Sequence, residues 1–142
     1  MKPSMKAFTA QDLYRHRVLS ALDGATGHGH LVFKLSQARR SSERYESSVW
    51  RLDVDGDAVA QRMTDAAFDA SSPMLSPDAS SLAFLSRRGG KHAQVQLLPM
   101  EGGEARALTD SEHTLGSIHG WSPDATRLLV SAAVGWSEEH AD

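Results

Sequence analysis

Three observations predict an all-β fold made of repeated four-stranded antiparallel sheets. Short apolar runs alternate with clusters of Gly, Pro, Asp and Ser, the pattern of strands joined by hairpins. The turn Ser76-Pro77-Asp78-Ala79 recurs as Ser122-Pro123-Asp124-Ala125, a shift of 46. The same shift carries Leu82 to Leu128 and, backwards, Val95 to Val49, Leu98 to Leu52 and Gly102 to Gly56, while Thr109-Asp110 falls on Thr64-Asp65 at a shift of 45. A unit of this length with four strands is one blade of a β-propeller.

Phe8 to Arg17 (FTAQDLYRHR) is predicted as a short helix, with Thr9 as cap and Asp12 at the capping-box position. Phe8, Leu13 and Val18 are expected to pack it onto the succeeding strands. Leu19 to Leu22 is a first strand, and Asp23-Gly24 opens a Gly-rich turn through Gly29. Leu31 to Leu35 alternates and reads as a strand. Gln37 to Ser47 (QARRSSERYES) is polar and charged and is expected to be an exposed loop. Val49 to Val54 is the next strand, Asp55-Gly56-Asp57 a tight turn, and Val59 to Met63 the returning strand before Thr64-Asp65.

From Ser72 to Asp110 the runs Met74-Leu75, Leu82 to Leu85, Val95 to Leu98 and Ala105 to Leu108 are separated by the turns SPDA, RRGGK and EGGE. They predict a four-stranded meander. Pro77 presets φ in its turn, and Gly102-Gly103 permit the positive φ of a tight hairpin. Leu108 is expected to point between adjacent units, and Trp121 to anchor a core. A third unit starts near Leu115 and includes a strand from Arg127 to Ser131; its third strand is expected near residue 141.

The chain thus divides into a helical lead-in at 1–17, one blade at 18–65, a second at 66–110, and the first half of a third at 111–142. Propellers close with roughly four to eight blades. About two and a half blades therefore lead us to expect a chain cut inside a repeat. Its open strand edges would invite homo-oligomers or aggregation.

Composition narrows the function classes. Of 142 residues, 40% are apolar and 23% charged, ordinary values for a globular domain. A net charge of −3 gives no electrostatic case for nucleic acid or an anionic membrane as partner. The chain has no cysteine, so disulfides, thiolate nucleophiles and Cys-bound metal are excluded. The opening MKPSMKAFTAQDLYRHR has no apolar signal-peptide core, and no apolar run reaches membrane-spanning length. A cytoplasmic location is expected.

The segments SSPMLSPDASSLAFLSRRGGK, LPMEGGEARALTD and GWSPDATRLLVS resemble the WD40-like propeller repeats of the prolyl oligopeptidase superfamily of serine peptidases. The similarity is greatest to the acylaminoacyl-peptidase and dipeptidyl-peptidase branch, and AFTAQDLYRHRVLSAL resembles the usual N-terminal start of that family. Ala79 and Ala125 stand where the family prefers Gly. If those positions need positive φ, Ala costs about 1 kcal/mol in each turn. Arg88 stands where an acidic residue is common, and Gly89-Gly90 replace Asp-Gly. The resemblance implies a non-catalytic propeller that gates entry of short peptides to a C-terminal α/β-hydrolase domain, its partner together with the remaining blades. That domain would carry a Ser, Asp, His triad and a G-x-S-x-G elbow. Gly116-Ser117-Ile118-His119-Gly120 has the wrong spacing for the elbow, and no catalytic residue of the family falls on any position here. A TolB-like protein-binding propeller, or a gene product without activity, is the alternative.

Other candidates are read against plainer roles. His28 and His30 can face one side of an extended segment, but no further ligand sits at a metal-binding spacing, and a flexible turn is expected. His113, His119 and His140 are expected at the surface or in turns. Asp53, Asp55 and Asp57 resemble the start of a calcium loop, yet Gly56 is at the fourth position and the later Glu is absent, which favours a β-turn. Arg39, Arg40 and Arg44 lie beside Glu43 and Glu46 and read as a solvated loop. Arg87, Arg88 and Lys91 surround a hairpin tip, where bidentate Arg would also suit a peptide carboxylate. Trp50, Trp121 and Trp136 are expected in the core. No catalytic, cofactor or metal residue is assigned.

Overall fold

The computed structural model describes residues 6–57, 59–88 and 90–133. Two four-stranded antiparallel sheets and a two-stranded one stack face to face, so the fold is a partial β-propeller. The first blade is β1 (Arg17–Gly24), β2 (His30–Arg39), β3 (Arg44–Asp53) and β4 (Ala60–Arg62) in that spatial order. The second is β5 (Ser71–Leu75), β6 (Ser81–Ser86), β7 (Gln94–Pro99) and β8 (Arg106–Ala107), again in order. β9 (Leu115–Trp121) and β10 (Leu128–Ala132) pair as the start of a third. The strand expected near residue 141 lies outside the described residues, as do Trp136 and His140.

The second blade is buried on both faces, which explains its continuous apolar run Leu82-Ala83-Phe84-Leu85. Successive strand residues point to opposite faces. Leu82 and Phe84 join Val32 and Val49 of the first blade, with Ala70, Leu75, Leu98 and Met100. Ala83 and Leu85 instead join Val95, Leu115 and Ile118, against which Trp121, Leu128 and Val130 pack. Val32, Val49 and Leu82 are fully buried. Each such side chain contributes on the order of 1.5–3 kcal/mol. Among the described residues only one face of β10 is covered, and alternation returns: Leu128 and Val130 are half-buried while Leu129 is 67% exposed.

The repeat is reproduced bond by bond. Thr64 Oγ1 accepts from the Val49 amide at 2.9 Å, and Thr109 Oγ1 from the Val95 amide at 3.0 Å. Next to these, the Met63 and Leu108 amides donate to the Val49 and Val95 carbonyls, both at 2.8 Å. In the Ser-Pro-Asp turns, Ser76 and Ser122 hydroxyls each donate to the following Asp at 2.6 Å. The turns close through Ala79 and Ala125 amides to Ser76 and Ser122 carbonyls at 2.8 and 2.9 Å. Ala79 and Ala125 take φ of 58° and 59°, the left-handed conformation for which Gly is better suited. Gly102 and Gly103 have φ of 121° and 117°.

Three expectations are corrected. Gln37 to Ser47 is not a loop: β2 and β3 pair in continuous register from His30↔Asp53 to Arg39↔Arg44, leaving only a short turn at 40–43. Polar residues there project from a strand pair that outruns its neighbour, and Arg39 Nε donates to Glu46 Oε2 at 3.0 Å across it. Leu85↔Val95 in the second blade corresponds to Lys34↔Val49 in the first, ten positions apart against fifteen, so the first hairpin is five residues longer. The helix is one turn, α1 (Ala10–Leu13). Asp12 Oδ2 accepts from the Thr9 amide at 2.8 Å, the N3-to-N-cap bond of a capping box, and from the Thr9 hydroxyl at 2.7 Å. Phe8, Leu13 and Val18 do not pack it down; they are 66%, 41% and 49% exposed. Four residues offer too small an apolar stripe to anchor. Leu108 is likewise exposed rather than held between blades, whereas Met63, at the matching position of the first blade, does pack against the core between the first and second.

Candidate functional site

The features positioned for a task lie at the junctions between blades and at the rim turns. The innermost strands are linked by side chains that reach the next blade's backbone. Asp23 on β1 accepts from the Leu75 amide of β5 at 2.8 Å. Ser72 on β5 accepts from the Ile118 amide of β9 at 2.9 Å, and Trp121 Nε1 donates to the Met74 carbonyl at 3.3 Å. Each inner strand bulges at the same place: the register slips between Ser20 and Asp23 in β1 and between Ser71 and Met74 in β5, with Ala21 and Ser72 both at φ 51°. A bulge adds a residue to one strand and turns side chains outward from the ladder. Here it aims Asp23 and Ser72 at their neighbours.

Further out, one ionic cluster ties the first blade to the second. His30 Nδ1 lies 2.6 Å from Asp53 Oδ1 across β2 and β3. Arg51 donates to Asp53 Oδ2 at 2.9 Å and to the Met100 carbonyl of the second blade at 3.0 Å. The Arg51 hydrogen bond first, and His30 next, hold the Asp53 carboxyl below its usual range. The cluster borders a cleft of about 530 Å³ shared with His28, Asp78 and Glu101.

Each sequence candidate now has a place. His30 belongs to a strand, not a flexible turn, while His28 sits in the turn before it. Asp53 turns to His30 and Arg51, away from Asp55 and Asp57, and among the described residues no group of three acidic or His side chains can hold a metal. His119 Nε2 lies 3.0 Å from Ser131 Oγ on the exposed β9–β10 hairpin, with no carboxylate bonded to its other ring nitrogen among the described residues. Trp50 is half-buried and donates to Ser48 Oγ at 2.9 Å, on the face turned away from the second blade. Arg87, Arg88 and Lys91 line a rim cleft of the second blade. Sequence reasoning missed Arg51 and the two glutamines of β7, Gln94 and Gln96. Their signal, polar residues at core-facing strand positions, was present in VWRLD and AQVQLL. No described helix is long and apolar enough to cross a membrane.

No protein-family model matches the chain. Over 143 aligned residues it is 36% identical to the uncharacterized peptidase YuxL of Bacillus subtilis strain 168, covering 96% of this chain and 20% of that protein. The chain therefore spans about one fifth of the length of this relative. Among solved structures it superposes on Pyrococcus horikoshii acylaminoacyl peptidase with a TM-score of 0.70 and 24% identity, over 83% of this chain and 18% of the other. The β-propeller domain of the Trilobed protease from Pyrococcus furiosus, described as having an open velcro topology, superposes with a TM-score of 0.64 and 17% identity, over 80% of this chain and 33% of the other.

Proposed function

Taking the chain as a β-propeller segment of the prolyl oligopeptidase superfamily, we propose that it is a non-catalytic wall of a peptidase, which restricts entry of short peptides to a hydrolase domain carried elsewhere. The hydrolysis belongs to that domain, and the present residues supply packing and shielding. One observation carries the reading: sequence similarity to a peptidase runs through nearly the whole chain, and every described strand belongs to a propeller-type sheet. The blade junctions suit the task. Backbone-directed bonds from Asp23, Ser72 and Arg51 fix each blade against the next, so the wall resists splaying.

A chimera tests this. The segment of P. horikoshii acylaminoacyl peptidase that superposes on this chain is replaced by it. The chimera is expected to hydrolyse a short acyl-peptide while sparing a long unfolded one such as casein. Deleting the segment is expected to admit the long substrate or to lose the enzyme's fold. Equal cleavage of both substrates by a folded chimera would defeat the proposal. So would sustained acyl-peptide hydrolysis by this chain alone.

A further inference from the structure

At the outer rim of the second blade a cleft of about 650 Å³ opens between the β6–β7 turn and the segment after β8. Two glutamines on the same face of β7 behave oppositely there. Gln94 is saturated: its amide nitrogen donates to the Ser111 carbonyl at 2.9 Å, and its oxygen accepts from Thr109 Oγ1 at 2.7 Å and the Ser111 amide at 2.8 Å. It thereby fixes one wall of the cleft. Gln96, two residues on, is 4% exposed and reaches the cleft, yet its side chain makes no hydrogen bond among the described residues. Its amide therefore stays open to the cleft, where water or a ligand can bond it.

The charges around it point to an anion. Arg87 and Lys91 line the cleft and form no ion pair among the described residues. Arg88 is committed: it donates to the Ala105 carbonyl and its guanidinium lies 5.8 Å from the centre of the Phe68 ring. Arg88 keeps its charge, so with Asp110 on the opposite wall the cleft carries about two units of positive charge in excess. That charge attracts an anion, and the apolar part of the lining favours one with an aliphatic body over inorganic phosphate. Ala107 and Leu108 add an apolar surface, and Leu108 is 45% exposed. The volume is within the range of small-molecule sites.

We propose that this cleft binds a small carboxylate with an aliphatic body, such as the C-terminal residue of an apolar peptide. Arg87 and Lys91 take the carboxylate, Gln96 bonds the adjoining peptide group, and Leu108 packs against the side chain. The site is built wholly within the second blade and stands whether or not the peptidase reading does.

The test titrates the chain with N-acetyl-alanyl-leucine and tracks backbone amide shifts by NMR. Saturable shifts are expected at Lys91, Gln96 and Ala107. The C-terminal amide of the same peptide should bind about tenfold more weakly, the loss expected for a charge-assisted hydrogen bond. An Arg87→Gln, Lys91→Gln double variant alters only exposed side chains and should lose affinity by a similar factor with its amide dispersion intact. Gln96→Met should weaken binding without moving the charge. Equal binding of acid and amide overturns the proposal, as does unchanged binding by the folded double variant. Inorganic phosphate shifting the same amides at equal or lower concentration overturns the carboxylate assignment.

Discussion

Ala79 and Ala125 occupy the same turn position at nearly the same φ, but their surroundings differ, and so should their response to glycine. Relief of left-handed strain gains about 0.5–1 kcal/mol. Ala79 is 7% exposed and part of the first inter-blade core, so losing its methyl costs about 0.8 kcal/mol and cancels the gain. Ala125 is half-buried and sits outside both cores. Urea unfolding should therefore show Ala125→Gly stabilised by about 0.5–1 kcal/mol and Ala79→Gly near neutral. The acids of these turns set a pH response. The Ser76 hydroxyl first, then the Ser80 backbone and hydroxyl, hold Asp78 down to about 2, and Ser122 and Thr126 lower Asp124 in the same way. A carboxyl that ionises more readily folded than unfolded stabilises the fold above its ordinary value of 3.8 and loses that contribution as pH falls through its folded value. The urea midpoint should thus fall between about pH 4 and pH 2, with a shallower fall in an Asp78→Asn, Asp124→Asn variant.

Between neighbouring strands, the threonines of the Thr-Asp pairs that mark the repeat act as hydrogen-bond acceptors for the third strand. Thr109→Val keeps the shape but leaves the Val95 amide without its 3.0 Å partner. A loss of about 1–2 kcal/mol is expected, with faster hydrogen exchange at Val95 as the local readout. Elements with a turn signal at each end were legible in the sequence, and β5 to β8 fall where the four apolar runs lie. The Ser-Pro-Asp and Thr-Asp repeats marked real equivalences because side chains bond backbone at those points. The long β2–β3 hairpin was illegible for the opposite reason. Beyond Leu35 and Ser48, the counterparts of Ser86 and Gln94, it has no matching strand pair in the next blade, so its residues carry charge instead of an apolar alternation. In the cluster of His30, Arg51 and Asp53, the Arg51–Asp53 pair lies two apart on one face of β3, but His30 and the Met100 carbonyl join it only across strands and blades, which spacing along one strand does not reveal.

Taken whole, the stack has two outward faces. Leu19, paired opposite Leu35, is 57% exposed on the first blade's outer face, and Leu129 is 67% exposed on the last. Apolar sheet faces without cover favour association. The chain by itself should sediment as a concentration-dependent mixture, and a Leu19→Lys, Leu129→Lys variant should shift it toward monomer. A wild-type monomer with a reversible melt independent of concentration would contradict this. Among the described residues each four-stranded sheet is completed by consecutive strands. A cut within 63–70 or 108–114 accordingly severs no ladder. Recombination could duplicate, delete or exchange a blade as a single cassette, and the reading frame would be the only register to restore.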